Sequence, residues 1–111
     1  MAEVTKEVVE KAYRAVEAAR KSGKIKKGTN ETTKAIERGA AKLVVYASNV
    51  EPKEIIMHIP LLCEEKGIPC VEVPKKEELG AAAGLTLATA SIAITQEGEA
   101  KNMIKQIIES K

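Results

Sequence analysis

Leu43-Val44-Val45-Tyr46-Ala47 is the stretch on which the fold turns. It is a short apolar run containing β-branched and aromatic residues, with no polar residue alternating through it, which is the pattern of a strand buried on both faces. Such a strand needs helices on each side of its sheet. Downstream, Pro52 suits the first turn of a helix that continues from Glu54 to Ile59. Pro60 removes a backbone donor and is expected to break or restart that helix, leaving a second piece through Lys66 and a stop at Gly67. Val71-Glu72-Val73 reads as a strand, Lys75 to Ala83 as a helix and Gly84 to Thr89 as a loop. Ser91 to Thr95 forms a last strand before a C-terminal helix from about Gly98 to Glu109.

Upstream, apolar residues at Val4, Val8, Ala12, Ala15, Val16 and Ala19 recur at the spacing of one helical face, so a first helix runs to about Arg20. Ser22-Gly23 ends it. Lys24-Ile25-Lys26-Lys27 is short, alternating and lysine-rich, as befits an edge strand protected against further pairing. Gly28 opens a turn, and Thr29 to about Arg38 reads as a second helix with Ala35 and Ile36 facing the core and Gly39 stopping it. Strands and helices alternate throughout. This predicts a three-layer α/β/α sandwich with a mixed, mostly four-stranded sheet, and the length of 111 residues suits a single domain over residues 1–111.

Composition narrows the chemistry. Hydrophobic residues are 44% and charged residues 31% of the chain, which fits a globular protein rather than a disordered one. The longest apolar runs fall far short of the roughly 20 residues needed to span a bilayer. The opening Met1-Ala2-Glu3 leads straight into charged, periodic sequence without the apolar core of a signal peptide, so a cytoplasmic location and no membrane partner are expected. All 16 acidic residues are Glu, and Phe and Trp are absent. A Ser-His-Asp triad and paired-Asp phosphoryl-transfer sites are therefore excluded, and no Walker or GxGxxG loop occurs. Cys63, Cys70 and His58 lack a nameable orienting carboxylate or a metal-ligand spacing. The two thiols read as buried and free, and no enzyme activity, metal or cofactor is expected.

The charge is unevenly placed. The net charge is +2, yet residues 20–34 carry Arg20, Lys21, Lys24, Lys26, Lys27 and Lys34 against the single acid Glu31, so the remainder of the chain is net acidic. Concentrated basic charge suits a polyanion, because lysines and arginines neutralise phosphates; the same lysines would equally solvate a loop and a helix end. Within this window, Lys27-Gly28-Thr29 joins a basic strand to a helix N-terminus, where backbone amides bind anions and glycine permits close approach. Asn30, Lys34 and Arg38 follow at intervals of four, with Glu31 three residues before Lys34. They share one side of the helix, and their donors and acceptors match the edges of bases. A solvent-exposed helix with an internal Glu31–Lys34 pair is the plainer alternative. A carboxylate amid phosphates would be repelled unless it met a base donor, and this favours base reading. Leu85 and Leu87 in the Gly84 to Thr89 loop offer an apolar cover for a splayed base, or else core residues. With only Tyr13, Tyr46 and His58 available for stacking, structured RNA fits better than single strands.

Lys27-Gly28-Thr29-Asn30-Glu31-Thr32-Thr33-Lys34-Ala35-Ile36-Glu37-Arg38-Gly39 closely resembles the signature of the L-seven-Ae-type ribosomal proteins. Val50-Glu51-Pro52, His58-Ile59-Pro60-Leu61-Leu62-Cys63-Glu64-Glu65-Lys66 and Leu79-Gly80-Ala81-Ala82-Ala83-Gly84 also resemble that family, so the likeness runs from about Val4 to Glu109. The resemblance implies an α/β/α sandwich that binds kink-turns, bent RNA elements with tandem sheared G·A pairs, in the large ribosomal subunit. It also implies service in box C/D and H/ACA guide particles and in ribonuclease P of archaea. By the same resemblance, Asn30, Glu31 and Lys34 contact the guanines, Lys27, Gly28, Thr29 and Arg38 lie along the backbone, and Leu85, Thr86 and Leu87 cover a protruding nucleotide. Lys42 and Lys76 follow as phosphate contacts. Six positions depart from the family pattern. Glu77 and Glu78 replace basic residues beside Lys76, which should weaken phosphate attraction. Ser48-Asn49 replace an acidic pair, and Cys70 and Glu72 replace strand aromatics. Partners implied are kink-turn RNA in ribosomal, guide or ribonuclease P RNA and the scaffold proteins of those particles. A protein-interaction adaptor acting through the Glu51 to Lys66 helices, without specific RNA binding, is the alternative.

Overall fold

The computed structural model describes residues 6–51 and 53–110. Val4 and Pro52, both read above as helical, lie outside them. The elements run α1 (Lys6–Ser22), β1 (Lys24–Lys27), α2 (Thr29–Glu37), β2 (Leu43–Ala47), α3 (Glu54–Lys66), β3 (Cys70–Val73), α4 (Lys76–Ala82) and β4 (Ser91–Gln96), and a 3-10 turn (Gly98–Ala100) then leads into α5 (Lys101–Ser110).

The strands form a sheet in the order β1-β4-β2-β3. β4 pairs antiparallel with both β1 and β2, and β2 pairs parallel with β3. This mixed sheet is the one expected, with the lysine-rich β1 on an edge. Alternation along the strands sends Leu43, Val45, Ile92 and Ile94 to one face and Val44 and Ala93 to the other, all fully buried. The first face is covered by α1, which also packs on α4 and α5; the second is covered by α2 and α3, which pack on each other. Along α1 the buried residues are Val8, Ala12, Ala15, Val16 and Ala19, the helical stripe read from the sequence. Fully burying side chains such as Ile36, Leu43, Ile59, Leu79 and Ile107 contributes on the order of 1.5–3 kcal/mol each to a two-sided core.

Two expectations need correction. Pro60 does not break α3, which is continuous from Glu54 to Lys66 with the proline inside it. Proline removes one intrahelical hydrogen bond, but Ile56 and Ile59 before it and Cys63 after it are buried along one side of the helix. Core packing on both sides of the ring holds the axis through it. Cys63 is buried as expected, whereas Cys70 is only half-buried, because it begins the edge strand β3. No described helix is long and apolar enough to cross a membrane.

Candidate nucleic-acid interface

Register brings several chain ends to one edge of the sheet. Lys27 at the end of β1 pairs with Ile92, Tyr46 near the end of β2 pairs with Ser91, and Ala47 pairs with Val73 at the end of β3. The starts of α2, α4 and β4 therefore gather at this edge.

Gly28 makes the turn from β1 into α2 at φ 92° and ψ 158°, a conformation open essentially to glycine alone. Its N–H donates to the Ser91 carbonyl at 3.0 Å, and its carbonyl accepts from the Thr32 N–H at 2.9 Å. A β carbon at Gly28 would meet no atom within 4 Å, so the backbone here is open to an approaching group. No side chain of Gly28 or of any other described residue caps the first amides of α2. Those amides, with the helix dipole behind them, suit an anion.

Thr32, Ala35 and Ile36 turn inward from α2 and are buried. At 100° per residue, the solvent side of the helix carries Asn30, Lys34 and Arg38, with Glu31 on its flank, all exposed. Glu31 and Lys34 lie 3.9 Å apart at side-chain exposures of 51% and 60%, a pair worth at most a few tenths of a kcal/mol and readily exchanged for other partners. Arg38 is the C-terminal cap of α2, about 12 Å along the axis from Asn30. Thr29 is half-buried and Lys27 exposed.

The loop from Gly84 to Thr89 returns along α4 to the same edge. Leu85 is half-buried against the core, with its N–H on the Gly80 carbonyl at 2.9 Å, while Thr86 is exposed and Leu87 is 77% exposed. The two leucines thus divide between core and solvent. At the end of the loop Thr89 is buried, donates its N–H to the Lys76 carbonyl at 3.2 Å and its hydroxyl to the Ser91 carbonyl at 3.3 Å. Lys76, half-buried, opens α4 beside it, and its N–H donates to Asn49 Oδ1 at 2.8 Å. Asn49 Nδ2 donates in turn to Glu77 Oε1 at 3.2 Å. The Glu77 carboxyl is held below its usual range first by its own backbone N–H and then by Asn49. It is ionised, and it is engaged with the start of α4.

Lys42 is not brought to this edge. It precedes the first residue of β2 and donates its N–H to the Ile94 carbonyl at 2.6 Å, at the opposite end of the strand from Ala47.

The sequence model for the ribosomal protein L7Ae/L30e/S12e/Gadd45 family matches residues 10–104. The chain belongs to that family. Among solved structures, it is similar to the Giardia lamblia 15.5kD RNA binding protein, with 32% identity, 96% of this chain and 88% of that chain covered, and a TM-score of 0.86. The sandwich described above is thus the architecture of this family.

Some residues of the edge escaped sequence reading. Asn49 was seen only as a departure from an acidic pair, and nothing local showed that it spans Lys76 and Glu77. Thr32, Thr89 and Ser91 are the buried polar side chains among the described residues, and all stand at the junction of α2, β4 and the loop. A signal for Thr32 did exist, since it falls on the Ala35–Ile36 face of α2. Elsewhere, Thr33 Oγ1 and His58 Nε2 lie 3.0 Å apart and join α2 to α3. No described carboxylate hydrogen-bonds or ion-pairs with that imidazole, and no group of three His, Cys or acidic residues among the described residues could hold a metal ion.

Proposed function

We propose that this protein binds kink-turn RNA through the edge formed by α2, the start of α4 and the Gly84–Thr89 loop, and stabilises the bent form by binding it in preference to the straight one. That is an equilibrium shift and requires no catalysis. The observation that carries the reading is the convergence of three recognition devices at one sheet edge. They are the uncapped amides of α2 beside the open backbone of Gly28, the exposed Asn30, Glu31 and Lys34, and the apolar loop tip at Leu87. Phosphates meet the amides together with Lys27 and Lys76. The edges of the sheared G·A pairs meet Asn30, Glu31 and Lys34, whose weak ion pair gives way to base donors and acceptors. Thr86 and Leu87 cover an unstacked nucleotide, with Leu85 anchoring the loop beneath them. Arg38 extends the basic track along α2, and Lys42 has no part in this surface. Membership in a family of ribosomal proteins, and similarity to a protein named for RNA binding, support this assignment.

The RNA targets we assign by this reading are kink-turns, and kink-loops of the same chemistry, in large-subunit ribosomal RNA, in box C/D and H/ACA guide RNA and in ribonuclease P RNA, with the protein acting in the cytoplasm. The test is a gel-shift titration at near-physiological salt against a kink-turn RNA and the same RNA with its G·A pairs converted to Watson-Crick pairs. Strong preference for the intact element is expected; equal binding would reduce the basic edge to non-specific attraction.

A second reading is favoured by α3. Met57 and Leu61, one helical turn apart, are 61% and 69% exposed. Large apolar side chains adjacent on a helix are suited to a protein contact. On this reading the protein is an adaptor, and a scaffold protein would bind it equally with and without RNA. Recruitment only after RNA is bound would assign α3 to assembly of a ribonucleoprotein instead.

A further inference from the structure

We infer that the buried hydroxyls of Thr32, Ser91 and Thr89 are positioning groups that hold the two recognition elements, the first turn of α2 and the apolar loop, in one fixed geometry. The inference rests on the RNA-binding reading for its functional consequence and on the hydrogen bonds alone for its structural one.

Ser91 is the node. Its hydroxyl donates to Thr32 Oγ1 at 3.2 Å, and its carbonyl accepts both the Gly28 N–H at 3.0 Å and the Thr89 hydroxyl at 3.3 Å. One residue of β4 thereby ties down the turn before α2, the first turn of α2 and the last residue of the loop. Thr89 carries the connection onward through its N–H to the Lys76 carbonyl at 3.2 Å. All three side chains are buried, and no described buried side-chain polar atom lacks a partner.

Apolar contacts could fill the same space. Ala35 and Ile36 already hold α2 against the sheet, so the hydroxyls are not needed to keep the helix attached. Burying polar groups costs desolvation, and replacing both partners of a buried hydrogen bond by apolar groups of the same shape is commonly neutral or stabilising. What a hydrogen bond adds is direction. Thr32 stands opposite Asn30 and Lys34 around the helix and 100° from Glu31, so a bond at Thr32 fixes the roll and height of the polar face. The bond at Thr89 fixes the loop against the carbonyl of the same residue, Ser91. Base edges tolerate little misplacement of their partners, whereas stability is indifferent to it.

The experiment uses the full chain with Thr32→Val and Ser91→Ala together, with Thr89→Val as an independent second variant and Thr32→Ser as the conservative control that keeps the hydroxyl. Thermal midpoint, amide hydrogen exchange and RNA titration are read on each. We expect the apolar variants to melt at or above the unmodified protein, with faster exchange confined to Gly28–Lys34 and Gly84–Thr89. Preference for kink-turn over its Watson-Crick counterpart should fall roughly five- to tenfold, the effect of one misaligned hydrogen bond, while Thr32→Ser keeps it. Unchanged exchange in both segments would overturn the inference whatever the RNA result. So would a midpoint that drops in step with binding, which marks a merely structural role. If the unmodified protein itself shows no preference, the RNA reading fails, and the exchange data alone decide whether the hydroxyls hold the two elements together.

Discussion

Two helices begin at the same edge of the sheet, and they begin differently. The first amide of α4 is taken by Asn49 from the loop after β2, and the Glu77 carboxylate closes onto that same first turn. The first amides of α2 follow Gly28 with no side-chain cap among the described residues. Helix starts leave several N–H groups without intrahelical partners. In α4 the Lys76 N–H finds its acceptor in Asn49, whereas no described side chain accepts from the first amides of α2. On the proposed reading, this contrast separates the two starts more sharply than lysine content does, since Lys75 and Lys76 stand at the closed start and Lys26 and Lys27 at the open one.

Substitutions at the two starts should have unequal effects. The largest effect is expected from Gly28→Ala. A β carbon would meet nothing, so the cost is purely that of the backbone, about 1–3 kcal/mol of folding stability in a denaturant titration, with RNA affinity lost in addition as the turn shifts. Next come Glu31→Ala and Lys34→Ala, each expected to lower discrimination for G·A pairs by about 1–3 kcal/mol in paired titrations while leaving stability unchanged. Equal losses on matched and mismatched RNA would sink the assignment of base reading to α2. Lys27→Ala should weaken binding to every RNA alike and flatten the slope of log affinity against log salt by about one unit.

The closed start gives the smallest effects. Asn49→Asp keeps the acceptor for the Lys76 N–H but loses the donor to Glu77 and sets two carboxylates side by side, so a slightly lower thermal midpoint is expected, restored by adding Glu77→Gln. Because folding depresses the Glu77 carboxyl, its contribution is complete above the ordinary value of 4.5 and is lost as pH falls through the lower folded-state value. Glu77→Gln should therefore flatten the acid limb of the stability profile below about pH 4.5, by a small margin since the group is solvent-exposed.

The difference between the two helix starts also marks what could be read in advance. The α2 segment was legible because its information is local: a glycine at a turn, polar residues at helical spacing and an apolar face made by Ala35 and Ile36. The central strand and the α1 stripe were legible for the same reason. The closed start of α4 was not, because Asn49 and Glu77 meet across 28 residues of chain, and Ser91 and Thr32 across 59. Periodicity cannot pair such positions. Pro60 misled in the other direction, since a local rule for ending helices yielded to core packing on both sides of the ring. Leu85 and Leu87 were indistinguishable as residue types, and only the fold of the loop sends one inward and the other out. Lys42 was expected among the phosphate contacts from the family resemblance, yet stands at the far end of its strand.

Gly80 lies directly beneath the apolar loop. A β carbon there would collide with the backbone of Leu87 and Ala88, so the apolar loop rests directly on the surface of α4 with no side chain between them. A loop seated this closely has little conformational entropy left to lose when a ligand arrives, and preorganisation of that kind lowers the cost of association. The ordering penalty then falls on the RNA. On the kink-turn reading, binding should show the unfavourable entropy of a nucleic acid being bent into shape.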